Sequence, residues 1–124
     1  MIISHTWLVE HLNDPNVVIL DSRGNVAYSY AHIPNSQPLG VEKVITSNQY
    51  GGMGQQGFLF KEKEEMEKFF EEQKIPNDKK VVCYCVLGHR AAYVFTQLKI
   101  AGYKNVKLYD GSFADWVGRR LPLG

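Results

Sequence analysis

Two short apolar runs constrain this chain most: "NVVILDSR" at residues 16–23 and "KKVVCYC" at 79–85. Both are rich in β-branched residues and lack polar alternation. Pro15-Asn16 and Gly24 bound the first, and the turn "PNDKK" feeds the second. Such runs read as strands buried on both faces, the pattern of a parallel sheet covered by helices. The first is expected to end near Asp21.

The segments between and after them have helical spacing. Ser4 can cap a helix over about 5–12, with Leu8, Val9 and Leu12 facing inward. "NVAYSYAHIPNS" reads as a short helix stopped by Pro34, and "QPLGVEKVI" as a short strand that Pro38 disfavours. In "KEKEEMEKFFEEQKI", Met66, Phe69 and Phe70 share one face, and the glutamates and lysines form the solvated one. After Arg90, Ala91, Val94, Phe95, Leu98 and Ala101 recur at helical spacing, with Gly102 placed as the C-terminal cap. "VKLYD" is a further strand, and "GSFADWVG" a last short helix offering Phe113, Trp116 and Val117 to the core. Strands and helices alternate, which predicts an α/β domain of three layers with a mostly parallel central sheet and helices on both faces. Residues 46–57, "TSNQYGGMGQQG", have no periodicity and read as a loop, either substrate-shaping or simply connecting.

At 124 residues, the length suits one domain over 1–124. A formal net charge of +1 marks neither a nucleic-acid nor a membrane surface. "MIISHTWLVEHLND" has neither the basic start nor the apolar core of a secretion signal, and no apolar run approaches membrane-spanning length. The two cysteines, Cys83 and Cys85, lie too close in sequence for an unstrained disulfide, so reduced thiols and a cytoplasmic location are expected.

Cys85 falls where a buried strand ends and a helix begins, the edge at which open α/β sheets bind ligands. Val86-Leu87-Gly88-His89 must turn sharply, and Gly88 gives the freedom to do so. Backbone N–H groups in such a turn form a nest for an anion. The helix N-terminus, His89 when protonated, and Arg90 add positive potential, and together these terms favour a thiolate. A thiolate in such a nest can hold either a transferred sulfur or a phosphoryl group. Cys83, mid-strand, reads as core packing, with a weaker resolving role. Cys83, Cys85 and His89 lack the paired spacing of a zinc site, so no metal is expected. "GGMGQQG" lacks the ending of a phosphate loop, and His5 and His11 read as surface residues.

"YCVLGHRAA" resembles the active-site loop of rhodanese-type sulfurtransferases: a cysteine, four residues, then a basic residue opening the helix. The resemblance covers nearly the whole chain. "VVILDSR" is similar to the family's first strand with its Asp-x-Arg ending, and "YAHIPNSQPL" to its Gly-His-Ile-Pro-Gly-Ala element. "NVKLYDGSFADWVGRRLPL" is similar to its closing strand, Gly-Gly-like turn, tryptophan and terminal Gly-x-Pro region. Phosphatases and arsenate reductases of the same fold have five residues in the loop, so sulfur chemistry is the preferred reading and those enzymes the less favoured one.

The resemblance implies a persulfide on Cys85, taken from a small sulfur donor and passed to a thiol or cyanide acceptor, with no cofactor. It implies that the amides of Val86, Leu87, Gly88, His89 and Arg90 hold the outer sulfur. Asp21 would support the site, Arg23 would pair with a carboxylate nearby, and His32 would be a structural hydrogen-bonding residue. Apolar Val86 and Leu87 stand where thiosulfate-using members often carry basic residues, and Ala27 stands where an arginine is often found. Ala31 and Asn35 replace the usual glycines around His-Ile-Pro, and Asn35 can still take a left-handed turn. The apolar loop also suits a protein persulfide partner, so a non-catalytic sulfur-carrier or protein-binding domain is the alternative.

Overall fold

The computed structural model describes residues 1–47, 58–60 and 62–124, with 45–47 and 58–60 described by their backbone. In chain order the first elements are α1 (His5–His11), β1 (Val17–Asp21), α2 (Asn25–Tyr30), β2 (Ser36–Pro38), a 3-10 turn (Val41–Lys43) and β3 (Ile45–Ser47). There follow β4 (Phe58–Phe60), α3 (Lys63–Glu72), β5 (Lys80–Tyr84), α4 (His89–Ile100), β6 (Val106–Leu108) and α5 (Ser112–Gly118). Among the described residues, no helix is long and apolar enough to cross a membrane.

The two apolar runs, at 16–23 and 79–85, are neighbours. β1 and β5 pair in parallel from Val17↔Lys80 to Asp21↔Tyr84 and form the centre of a sheet ordered β2-β1-β5-β6. β2 and β6 also run parallel to them, so all four strands end at one edge, and the chain leaves its middle at Cys85. Pro38, which lacks an N–H, is tolerated because, among the described residues, β2 has a neighbour on one side only. Ser4 caps α1 by accepting the Trp7 N–H at 3.3 Å.

Strand alternation builds two cores. Leu20, Val81 and Cys83 pack with Met66 and Phe70 of α3 and with Ala91, Val94 and Leu98 of α4. Ile19, Val82 and Tyr84 pack on the other face with Leu8 of α1, Ile33 and Trp116 of α5. Full burial of a side chain such as Leu98 or Phe70 is worth about 2 kcal/mol. Gly102 ends α4 with φ +100°, as its position as a cap requires.

Three expectations need correction. Val9 and Val117 are exposed rather than core, because each is one residue past a buried one (Leu8, Trp116) and the helix turns it about 100° away. "QPLGVEKVI" is not a single strand: β2 stops at Pro38, and the 3-10 turn intervenes before β3. Thr46 and Ser47 belong to β3, which pairs antiparallel with β4 from Ile45↔Phe60 to Ser47↔Phe58. The rest of the loop reading, from 48 to 57, lies outside the described residues.

α5 is fastened to the end of β6 through Asp115, which accepts hydrogen bonds from the Tyr109 hydroxyl and, at 2.9 Å, from Arg119 Nε. The Tyr109 bond holds the Asp115 carboxyl below its ordinary range, and Arg119 adds to this against the effect of burial. A depressed folded pKa gives stability that is present above the unfolded value near 4 and lost as pH falls through the folded one. Asp115→Asn should therefore be less stable than wild type in urea unfolding at neutral pH. The gap should close as pH drops below about 4, and a constant gap would show that the charge contributes nothing.

Candidate active site

Cys85 lies at the carboxyl edge of the central strand with 1 % of its surface exposed. Its backbone is gripped from α5. The Cys85 N–H donates to Ser112 Oγ at 3.1 Å, and its carbonyl accepts the Phe113 N–H at 2.8 Å. The Val86 carbonyl accepts the Ala114 N–H at 3.1 Å. Ser112 Oγ donates in turn to the Tyr109 carbonyl at 2.9 Å, so a fully buried hydroxyl joins the ends of β5 and β6. Ser112 does this at φ +58°, a conformation that costs a non-glycine residue about 1 kcal/mol or more. Glycine would relieve the strain and lose the clamp.

Gly88 closes the loop. Its φ is +97°, and a Cβ there would stand 2.8 Å from both the carbonyl oxygen and Oδ1 of Asp110, so only glycine fits. In this turn the Gly88 N–H points back and donates to Cys85 Sγ at 3.1 Å. α4 then starts at His89 with no acidic residue in its first turn. His89 and Arg90 are exposed there, and Val86 and Leu87 are exposed on the loop, Leu87 by 61 %.

Beneath the loop, Asp21 and Tyr84 end the two central strands opposite each other. Arg23 grips the Asp21 carboxylate through Nε and Nη2, the latter at 2.6 Å, and Nη2 also donates to the Ala31 carbonyl at 2.6 Å. The Tyr84 hydroxyl donates to Asp21 Oδ2 at 2.8 Å and accepts the Ile33 N–H at 3.1 Å. Burial works against the charge on Arg23, but Asp21 outweighs it and raises its pKa, while burial pushes the Tyr84 phenol up and keeps it a donor. The guanidinium also lies 4.0 Å over the ring of Phe113, the residue whose N–H holds Cys85.

The residues singled out from the sequence thus divide. Asp21 and Arg23 meet as a bidentate pair, and Cys85 and Gly88 meet through the sulfur. His32 stacks on Tyr28 with ring centroids 3.8 Å apart, and its Nδ1 is 2.9 Å from the Tyr28 carbonyl oxygen. Asn35 adopts φ +65°, the left-handed turn expected of it. Among the described residues, no hydrogen bond joins His32, His89 or Arg90 to Cys85, and no three His, Cys, Asp or Glu side chains group as metal ligands. Cys83 is wholly buried, and burial together with Cys85 nearby raises its thiol pKa far above the ordinary value.

Sequence reasoning missed Tyr84, Ser112 and Ser22. Their roles depend on which residues face each other across the fold; Tyr84 and Ser22 were hinted at only by standing next to Cys85 and Asp21, and Ser112 by nothing local. Ser22 is fully buried, and its hydroxyl has no hydrogen-bond partner among the described residues.

The chain is similar in sequence and fold to known proteins. The sulfur carrier protein TtuD of Thermus thermophilus is 32% identical over 125 residues, 99% of this chain and 41% of that protein. The thiosulfate:glutathione sulfurtransferase of Saccharomyces cerevisiae is 31% identical over 114 residues, 90% of this chain and 74% of that one. The chain spans less than half the length of the first relative. Among solved structures, SseA from Escherichia coli, described under the rhodanese fold of 3-mercaptopyruvate sulfotransferases, superposes with a TM-score of 0.76 at 24% identity. The match covers 99% of this chain and 49% of SseA. The rhodanese-like domain model matches residues 4–119, and the chain belongs to that family.

Proposed function

We propose that this chain, as one rhodanese-like domain over residues 1–124, is a sulfurtransferase that carries sulfane sulfur as a persulfide on Cys85. The observation that carries the reading is the Gly88 N–H directed at Cys85 Sγ at 3.1 Å, in a loop that opens a helix. A donated hydrogen bond and a helix N-terminus both favour negative charge on that sulfur. His89 and Arg90 support the same reading. Basic residues are unfavourable at the positive end of a helix, so their presence in the first turn suits an anion held nearby.

In the first half-reaction the Cys85 thiolate attacks the outer sulfur of the donor. The new S–S bond forms as the donor's own bond to that sulfur breaks, and the donor leaves with the electron pair, as sulfite from thiosulfate or a thiolate from a persulfide. The outer sulfur stays on Cys85 as an anion. In the second, cyanide or a thiolate attacks that sulfur, the Cys85 thiolate departs, and the site is restored. No net oxidation is needed and no cofactor enters. The amides of Val86 to Arg90 hold the anionic sulfur, while the Asp21–Arg23–Tyr84 cluster fixes the strand ends beneath it.

The exposure of Val86 and Leu87 favours a donor or acceptor that presents apolar surface, such as a protein persulfide, over a small sulfonate. That is the form of the function closest to a sulfur carrier, the name one relative bears.

Incubated with thiosulfate, the reduced protein should gain the mass of one sulfur atom and release thiocyanate on addition of cyanide. Cys85→Ala should do neither, and equal loading of the variant would overturn the mechanism. Val86→Arg should lower KM for thiosulfate about fivefold, the worth of one added charge near a divalent anion in water. An unchanged KM would mean that loop charge does not set donor preference.

A further inference from the structure

Ser22 follows β1 at the sheet edge where Cys85 follows β5, and among the described residues no hydrogen bond uses its buried hydroxyl. In the paired strands Leu20 stands opposite Cys83, and both pack on the α3/α4 face. Asp21 stands opposite Tyr84 and meets its hydroxyl on the other face. Ser22 is next, still held in the ladder, its N–H donating to the Tyr84 carbonyl at 2.7 Å and its carbonyl accepting the Val41 N–H at 3.3 Å. Continued one step past Asp21↔Tyr84, the register sets Ser22 opposite Cys85, and strand alternation assigns both to the face of Cys83.

The side chain there is 0 % exposed, and Oγ is without a hydrogen-bond partner among the described residues. A buried, unpaired hydroxyl costs stability, and an alanine would fill the same place without that cost. Cys85 Sγ meanwhile accepts the Gly88 N–H. Loading extends the side chain by one S–S bond, about 2 Å, and adds an anionic acceptor on this face.

We propose that the Ser22 hydroxyl is a hydrogen-bond donor reserved for the outer sulfur of the Cys85 persulfide, unpaired in the resting protein and satisfied on loading. No proton is transferred: the hydroxyl donates a hydrogen bond to the charge that the outer sulfur keeps after the donor's S–S bond breaks. The inference rests on the persulfide reading above. It makes Ser22 a residue that touches the reacting atom, at a position where the resting fold gains nothing from a hydroxyl.

The test uses the full chain as wild type and Ser22→Ala, each loaded with cysteine persulfide. Intact mass follows persulfide lifetime against added cysteine, whose thiolate takes the outer sulfur and releases the Cys85 thiolate, with iodoacetamide alkylation of the unloaded thiol and the thermal midpoint measured beside it. The variant should lose its sulfur about tenfold faster, the worth of one hydrogen bond to a charged group. Its resting alkylation rate should be unchanged and its midpoint equal to or above that of wild type. A wild-type persulfide lifetime would overturn the proposal, as would alkylation and midpoint falling in step with lifetime. If wild type itself takes up no sulfur, the persulfide reading fails and this inference falls with it. If wild type loads and Ser22→Ala holds sulfur equally well, this inference alone fails.

Discussion

A buried carboxylate tolerates the protein interior only when its oxygens are paired, and the Asp21 carboxylate is wholly buried at the edge where the site forms. Three donors converge on it: the Arg23 guanidinium, the Arg23 N–H at 2.9 Å and the Tyr84 hydroxyl. Two come from Arg23 and one from Tyr84. Arg23 reaches on to the Ala31 carbonyl beyond α2, and the Tyr84 hydroxyl reaches the Ile33 N–H ahead of β2 and the Ser36 hydroxyl at its start. The pairing therefore ties the ends of β1 and β5 to the start of β2. Removing one partner of such a buried pair costs about 3–5 kcal/mol, because the other charge is left behind. Cys85 follows Tyr84 directly, so its starting point is as fixed as that cluster.

From that fixed point, the two cysteines reach opposite fates within two residues. Cys83 points into the packed α3/α4 core, where burial keeps its thiol protonated and inert. Cys85 faces the same way, but the strand has ended, and the loop turns the Gly88 N–H onto its sulfur. Ser112 and Phe113 hold its backbone from the other side. Carbon neighbours make one thiol a packing atom, and backbone donors make the other a candidate nucleophile. Val86 and Leu87, exposed above it, then bear on what can approach rather than on the chemistry itself.

Much of this was legible in the sequence because it is local. The ends of β1 and β5, the caps of α1 and α4 and the glycine turn all follow from residues a few positions apart, whereas the sequence did not single out Asp21 as the carboxylate that Arg23 meets. The rest of what was not legible is non-local. The Tyr84 hydroxyl meets Asp21 because β1 and β5 pair in a register that sets the two residues opposite each other. Ser112 reads as one half of a glycine-like turn until Cys85 is found beside its hydroxyl. The exposure of Val9 and Val117 depends on which face of a short helix meets the sheet, which two adjacent apolar residues leave undetermined.

We propose that position relative to the end of β5, not residue type, decides which cysteine carries sulfur. The most direct measurement is peptide-level mass spectrometry of the native protein after exposure to a persulfide donor, with free thiols blocked before digestion. The account predicts added sulfur on Cys85 alone, with Cys83 unmodified and unblocked until the protein is unfolded. Sulfur on Cys83, or on both cysteines alike, would contradict it.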